Sequence, residues 1–124
     1  MIGRELRSGK LKYSFEVEFQ VESYLGGMFN PVVQLKSGGY IVIDVTEALV
    51  AVDVNSGRAT RESSIEDTAL KTNMEAAEEA ARQMRLRDLA GLIVIDFIDM
   101  EDRRNNLSVE KKLKDKLKSD RARI

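Results

Sequence analysis

The sequence predicts an α+β fold in which two main helices pack on a mixed, largely antiparallel sheet. Residues 11–19 alternate strictly between apolar and polar side chains, which is the pattern of a half-buried strand. The runs at 49–55 and 91–97 are short, rich in branched side chains and flanked by turn residues, as buried strands are. Segments at about 65–87 and 106–118 repeat apolar residues at helical spacing. We therefore expect all 124 residues to form a single, α/β sandwich-like domain.

The composition excludes several kinds of chemistry. The chain contains no cysteine and no histidine, so disulfides, thiolate or imidazole metal sites, cysteine nucleophiles and Ser-His-Asp triads are ruled out. Any catalysis must depend on carboxylates or on hard cations with oxygen ligands, such as Mg²⁺ or Mn²⁺. The sequence shows neither a signal peptide nor an apolar run of membrane-spanning length, so we expect a cytoplasmic location.

Charge is distributed unevenly along the chain. Residues 103–124 carry nine Lys or Arg against three Asp or Glu, although the whole chain has a net charge of −1. A basic end beside an acidic body suits a polyanionic partner. A solvated helix face explains the same charges equally well.

The first half of the chain predicts an antiparallel meander. Its only proline, Pro31, begins an extended segment, and Gly38 and Gly39 are typical of a hairpin turn. The predicted segments are a basic arm (1–12), the alternating strand (11–19), a short helix (21–29), an extended segment (32–35), a turn (36–39), a strand (40–44), a tight connection (45–47) and a strand (48–54).

The second half predicts a helix, a strand and a last helix. Ser64 is a hydroxyl cap with acids following in the first helical turn, after a polar loop at 55–64. Gly91 opens the second buried strand, and a loop at 98–106 changes from acidic to basic. The apolar stripes are predicted as Leu70, Met74, Ala77, Ala81 and Met84 on the first helix, and Val109, Leu113 and Leu117 on the second.

Each of the two buried strands carries an acid near its carboxyl end. Asp53 and Asn55 lie two residues apart and so share a face of their strand, and Asp96 lies on the other strand. A strand–helix–strand connection favours placing both strands in one sheet. Backbone N–H groups or cations could compensate for the carboxylates; alternatively, the two acids and the amide could hold one Mg²⁺ with its waters.

Other residues compete for these roles. Asp44 is interpreted as a turn acid, and Asp99 faces the opposite side from Asp96 if the strand continues. Arg58 and Arg61 follow Asp53 in the polar loop and are either phosphate ligands or solvated loop cations.

Two long motifs carry a family resemblance. Residues 38–58, GGYIVIDVTEALVAVDVNSGR, and residues 85–100, RLRDLAGLIVIDFIDM, resemble the catalytic region of bacterial ribonuclease E/G, and the similarity is recognisable over about 20–124. The resemblance implies a subdomain similar to pancreatic deoxyribonuclease. It also implies a Mg²⁺-dependent endoribonuclease, a hydrolase that cuts single-stranded AU-rich RNA in RNA processing and mRNA decay and leaves 5′-phosphate and 3′-hydroxyl ends.

The resemblance also assigns roles to residues. It places the metal-binding acids on Asp53 and Asp96 and the supporting amide on Asn55, with Mn²⁺ as the alternative metal. Further RNA contacts are expected from four arginines, Arg58, Arg61, Arg121 and Arg123.

The sequence also departs from the family pattern. The family's oligonucleotide-binding barrel, 5′-phosphate sensor, ribonuclease H-like subdomain and Cys-Pro-x-Cys zinc link between protomers have no counterpart in it. Residues 1–19 do not match the stretch expected before Gln20-Val-Glu-Ser, which suggests an engineered or swapped replacement that lets the subdomain stand alone. Two alternatives therefore stay open: a folded but inactive scaffold, and an RNA-binding module that uses the basic carboxyl-terminal helix. The sequence does not predict an oligomeric state.

Overall fold

Six strands in one sheet and two helices make up the described part of the chain, which confirms the predicted α+β class. The computed structural model describes residues 2–7, 10–17, 30–57, 65–87, 89 and 91–119. The predicted helix at 21–29 and the capping Ser64 lie outside these residues. The elements are β1 (Ile2–Arg7), β2 (Lys10–Val17), β3 (Val32–Gln34), β4 (Tyr40–Val45), β5 (Val50–Asn55), α1 (Ile65–Leu86), β6 (Gly91–Asp96) and α2 (Arg103–Ser119).

The strands are arranged in the order β1-β2-β6-β5-β4-β3. The meander β3-β4-β5 is antiparallel, as predicted, and β2 also pairs with β1 and β6 in antiparallel fashion. Only the pair β5–β6 is parallel among these strands. A parallel pair needs a long crossover connection, and α1 lies in that connection. The sheet is therefore mixed because one helix intervenes between two adjacent strands.

The amino-terminal segment differs from the prediction. We interpreted residues 1–12 as a weakly patterned arm, but β1 forms a hairpin with β2 in which Leu6 is the register partner of Leu11. The alternating strand predicted from residue 11 is present as β2, and it continues the sheet by pairing with β6. Because β1 gains its backbone hydrogen bonds from β2, it needs no strong alternation of its own.

One face of the sheet is buried against the helical side. In β5 the valines at 50, 52 and 54 are buried, and β6 contributes Ile93 and Ile95 to the same cluster. Side chains on a strand alternate between faces, so the residues between them lie on the opposite, open face. Ala51, Val94 and Asp96 there are half-buried, and Asp53 is exposed.

The helices complete this buried cluster. The predicted apolar stripe of α1 does face the core, but its members Leu70 and Met74 are only partly buried. Small residues form the centre of the buried side of the helix. Alanine lets a helix approach a sheet closely. The apolar side of α2 is confirmed, since Val109, Leu113 and Leu117 are each 0% exposed. The most deeply buried alanines of α1 are Ala69, Ala76, Ala77, Ala80 and Ala81.

Helix α2 begins at Arg103, three residues before the predicted start. The Asp102 carboxylate accepts a hydrogen bond from the Arg104 amide at 2.9 Å, and the Asp102 carbonyl accepts one from the Asn105 amide at 3.0 Å. Asp102 is therefore the N-cap of α2. Neither helix of the described residues is long and apolar enough to cross a membrane.

The predicted hairpin turn between β3 and β4 packs tightly against the end of β5. The Leu35 amide donates to the Gly39 carbonyl at 2.8 Å, and Gly38 adopts a φ of 105°, which favours glycine. A Cβ on Gly39 would lie 2.6 Å from the Asn55 carbonyl oxygen and 2.9 Å from Cγ2 of Thr72. The turn therefore requires glycine at 39 for space rather than for backbone conformation.

Replacing Gly39 with alanine tests this close approach. We expect Gly39→Ala to lower the free energy of unfolding by about 1–3 kcal/mol, because the backbone of β5 and the buried side of α1 must both move. Urea denaturation monitored by circular dichroism measures the change. The control is Glu47→Ala in the exposed β4–β5 turn, where we expect a change within about 0.5 kcal/mol. Equal stability of the two variants would contradict the packing argument.

Candidate active site

The parallel pairing of β5 and β6 places two acids side by side. Asp53 and Asp96 are direct register partners, although 42 residues separate them in the sequence. Adjacent strands lie about 4.8 Å apart, so the two side chains start from neighbouring backbone positions. The convergence that we expected from the strand–helix–strand connection is therefore present in the sheet register.

Both acids lie on the open face. In β5, Asp53 lies between Val52 and Val54, which are 2% and 6% exposed on the helical side. In β6, Asp96 lies between Ile95 and Phe97, each 0% exposed. Asp53 is exposed and Asp96 is half-buried, with its Oδ1 atom shielded from solvent. One carboxylate is therefore more accessible than the other.

Asn55 extends this face by one position along β5. Its Cα is the register partner of Tyr40 in β4, and its side chain is half-buried. The Asn55 Nδ2 donates to the carbonyl oxygen of Asp53 at 3.5 Å, which is at the outer limit of a hydrogen bond. Because this contact is weak, the amide can turn its oxygen toward a ligand on the open face.

The two rival acids occupy different positions. Asp44 is exposed in β4 and its register partner is Ala51, so it lies one same-face position away from Asp53 along the sheet. Asp99 is exposed in the coil that follows β6. Neither is a register partner of another acid among the described strand pairs. The structure therefore brings Asp53 and Asp96 together and leaves Asp44 and Asp99 apart from them.

The predicted phosphate-binding arginines cannot be placed. Arg58, Arg61, Arg121 and Arg123 all lie outside the described residues.

Two residues of α1 that the sequence analysis did not single out hold the chain just after Asp96. Asn73, which is 0% exposed, donates from Nδ2 to the Ile98 carbonyl and accepts from the Ile98 amide through Oδ1, each at 3.0 Å. About two turns earlier in α1, the Glu66 carboxylate accepts hydrogen bonds from the amides of Glu101 at 2.9 Å and Asp102 at 3.0 Å. A polar residue on the buried side of an otherwise alanine-rich helix was the available signal for Asn73.

The hydrogen bonds also change the charge behaviour of Glu66. The Glu101 amide, the Asn105 side chain at 2.8 Å and the Asp102 amide stabilise the ionised carboxylate, so the pKa of Glu66 is lowered from its ordinary value of 4.5. Glu66 thus fixes the loop between β6 and α2 most strongly when it is charged.

The donor set of the open face fits a hard divalent cation. Carboxylate and amide oxygens are ligands that Mg²⁺ accepts, and Mg²⁺ retains several waters when a protein supplies only one or two carboxylates. The described residues contain no group of three or more Asp, Glu, His or Cys side chains able to hold a metal. Asp53 and Asp96, with Asn55 beside them, would therefore form a site that water or substrate oxygens must complete.

Comparison with known proteins identifies the family. A family model described as the Ribonuclease E/G family matches residues 5–124. The chain belongs to the ribonuclease E/G family. Its matched region includes both acids, Asn55, and the two helices that pack behind the sheet. It also includes most of residues 1–19, where we expected no similarity.

Individual relatives agree with this assignment. The chain is 54% identical to ribonuclease E of Escherichia coli over 128 aligned residues, which cover 99% of this chain and 12% of that protein. It is 58% identical to ribonuclease E of Haemophilus influenzae over 86% of this chain and 11% of that protein. Ribonuclease G of Escherichia coli is 43% identical over 85% of this chain and 22% of that protein. The chain thus spans less than a quarter of each of these relatives.

The charge of Glu66 provides a test of how the loop after β6 is held. We expect Glu66→Gln to lower the free energy of unfolding by about 1 kcal/mol near neutral pH, a value reduced by solvent screening. Because the pKa is lower in the folded state, this stabilisation is fully present above pH 4.5 and is lost as the pH falls through the folded-state pKa. Urea unfolding between pH 7 and pH 3 measures both effects.

The matched control is Glu47→Gln, an exposed acid in the β4–β5 turn. It removes the same charge without removing a hydrogen bond to the loop. A difference between wild type and Glu66→Gln that stays constant down to pH 3 would show that the charge of Glu66 does not hold the loop.

Proposed function

We propose that this chain is the catalytic part of a Mg²⁺-dependent endoribonuclease that hydrolyses phosphodiester bonds in single-stranded, AU-rich RNA. The observation that carries the proposal is the register pairing of Asp53 with Asp96 on the open face of the sheet. Family membership and the activity in the names of the relatives, ribonucleases E and G, support RNA as the substrate. The AU-rich preference and the 5′-phosphate and 3′-hydroxyl ends are what the family resemblance implies.

Electrostatics supports the involvement of a cation. RNA carries one negative charge per phosphate, and two neighbouring carboxylates repel a phosphate that approaches them. A divalent cation between the carboxylates and the phosphate converts this repulsion into attraction. The same arrangement makes substrate and metal binding mutually favourable, because the phosphate supplies oxygen ligands that the two acids alone do not complete.

Asp53 and Asp96 would hold the cation, and Asn55 would orient a water molecule or a phosphate oxygen next to it. When bound, Mg²⁺ supplies a Lewis acid that favours deprotonation of water and offsets the charge that develops on the phosphoryl group. The exposed Asp53 is the ligand accessible from solvent, whereas Asp96 is half-buried between β2 and β5. Both described helices pack on the opposite face of the sheet, which is compatible with an extended RNA strand at the acid pair.

Substrate positioning depends on more than these residues. Holding a reacting group in place is worth several kcal/mol of the activation barrier. Relatives such as ribonuclease E of Escherichia coli are more than eight times as long as the region aligned here, since that region covers 12% of the protein. We propose that in a full-length protein the further domains clamp the RNA, that a zinc link joins protomers, and that the enzyme acts in RNA processing and mRNA decay in the cytoplasm.

Four lysines on the basic face of α2 lie in ion pairs with nearby acids. Lys112 and Lys116 lie 3.7 and 3.4 Å from the Glu78 carboxylate, Lys111 lies 3.5 Å from Asp115, and Lys114 lies 3.5 Å from Glu110. Residues 103–124 nevertheless carry six more cations than acids, so these ion pairs lower the attraction of α2 for a polyanion without removing it. RNA binding by α2 therefore stays an alternative, and cleavage at the acid pair is preferred because Asp53 and Asp96 are register partners on the open face.

Removing either acid tests the proposed site. We expect Asp53→Asn and Asp96→Asn each to reduce Mg²⁺-dependent cleavage of a fluorescent single-stranded AU-rich oligonucleotide at least roughly 100-fold, because losing a metal ligand raises the barrier by about 3 kcal/mol. Chelation of Mg²⁺ should have an effect of similar size. Gel analysis of the products also identifies the terminal groups.

The matched control for this experiment is Asp44→Asn, which removes an exposed acid from the same face and leaves the pair intact. We expect its cleavage rate to stay within a factor of about three of wild type. A folded wild-type chain that binds the oligonucleotide without cutting it would support an RNA-binding module, and one that neither binds nor cuts would support a scaffold.

Asn55 should have a smaller effect than the acids. We expect Asn55→Ala to lower the cleavage rate by about 10–100-fold, the range typical of groups that support a metal site. Part of this loss should be recovered at higher Mg²⁺ concentration if the amide helps to hold the metal or its water. Rate measurements across a Mg²⁺ titration make the comparison, and a rate equal to that of wild type at all concentrations would remove Asn55 from the site.

A further inference from the structure

The backbone just beyond Asp96 is held by a side chain rather than by a neighbouring strand. Asp96 is the last residue of β6, and within the described strands its pairing with β2 and β5 is the last rung. Two residues later, the amide and carbonyl of Ile98 both pair with the side chain of Asn73 in α1, each at 3.0 Å. The Asn73 side-chain amide thus makes the two hydrogen bonds that a neighbouring strand would otherwise make to Ile98.

This arrangement has a cost that an apolar residue would avoid. Asparagine is a poor helix former, and Asn73 is 0% exposed within the alanine-rich side of α1. A buried amide is tolerated only when its polar groups are paired, and here the side-chain N–H and C=O of Asn73 both pair with the backbone of one residue, Ile98. The pair fixes one specific backbone position, which general hydrophobic packing does not do.

The position that Asn73 fixes matters because strand ends open locally more easily than strand centres. Asp96 lies at such an end, and its partner Asp53 lies two residues before the end of β5. The neighbouring Thr72 lies beside Gly39, where an added Cβ would be 2.9 Å from Cγ2 of Thr72 and 2.6 Å from the Asn55 carbonyl oxygen. Consecutive residues of α1 therefore lie next to the turn that packs on the end of β5 and to the chain that leaves β6.

We propose that Asn73 is a positioning residue of the metal site, which keeps Asp96 in register with Asp53 by anchoring Ile98. This inference rests on the proposed function, because it assumes that the two acids share one cation. Asn73 does not touch the metal, RNA or reacting atoms. It acts through the backbone that connects Ile98 to Asp96.

The test measures metal binding separately from stability. Mn²⁺ is titrated into ¹⁵N-labelled protein, well below the melting temperature, and the paramagnetic broadening of the Asp53 and Asp96 amides gives the affinity. We expect Asn73→Ala and Asn73→Leu to weaken Mn²⁺ binding at least fivefold. We also expect faster hydrogen exchange at the Ile98 amide, which has lost its acceptor. Asn73→Leu keeps the number of side-chain heavy atoms and the branching at Cγ and improves helix propensity, so it tests positioning if the alanine variant is unstable.

The control is Ala80→Gly, a buried position two turns further along α1. It weakens the helix without contacting Ile98, and we expect its Mn²⁺ affinity to stay within twofold of wild type. Folded Asn73→Leu protein with wild-type affinity would overturn the proposal, as would an equal loss in Ala80→Gly. If Mn²⁺ does not broaden the wild-type amides, or if the broadening persists in Asp96→Asn, the proposed metal site itself fails. The positioning role of Asn73 then fails with it.

Discussion

The parallel register of β5 and β6 is the constraint on which the rest of the site depends. It brings together Asp53 and Asp96, two residues with no local reason to meet. A slip of one residue would move one acid to the helical face, opposite a buried side chain of the other strand. The register is set by the alternate positions, because Val52 and Ile95 must both be buried on that face. The hydrophobic core therefore determines the geometry of the carboxylates on the opposite side.

Helix α1 is the second element on which the site depends. As the crossover between β5 and β6 it makes their parallel pairing sterically feasible, and its alanines let it lie close to the sheet. Three of its polar residues also contact segments next to the site strands: Glu66 and Asn73 bond to the chain after β6, and Thr72 lies beside Gly39 in the turn that packs on the end of β5. A helix that only covered the core would need none of these. The sequence of α1 thus serves packing on most of its inner surface and local backbone placement at a few positions.

Much of this architecture is readable from the sequence because it follows from periodicity. The apolar runs that became β5 and β6, the hairpin at Gly38 and Gly39, and the extent of α1 are each specified by local patterns and turn residues. The pairing of the two acids was also accessible, since a single helix between two buried strands favours one sheet.

The features that the sequence did not reveal are those that depend on tertiary partners. Strand β1 lacks a clear pattern and is ordered by its ladder with β2. Asn73 and Glu66 look like an ordinary helix residue and a first-turn acid until the loop after β6 folds back to them. Helix α2 starts before the predicted position because Asp102 caps it. The loop contains several acids, so the sequence alone does not identify which one is the cap. Side-chain hydrogen bonds to distant backbone have no period, so pattern analysis does not detect them.

Binding a cation and binding an RNA strand require contacts over very different distances. Binding a divalent cation requires oxygen atoms within a few ångströms of one another, and adjacent strands supply that proximity through one register. Holding a flexible RNA strand requires contacts spread over many nucleotides, because each phosphate contact contributes only part of the affinity. Under the proposed function, a region that corresponds to 12% of the Escherichia coli relative would contain the complete acid pair and leave most RNA contacts to other parts of a longer protein. The proposed chemistry would then be local to two strands, whereas substrate selection would not.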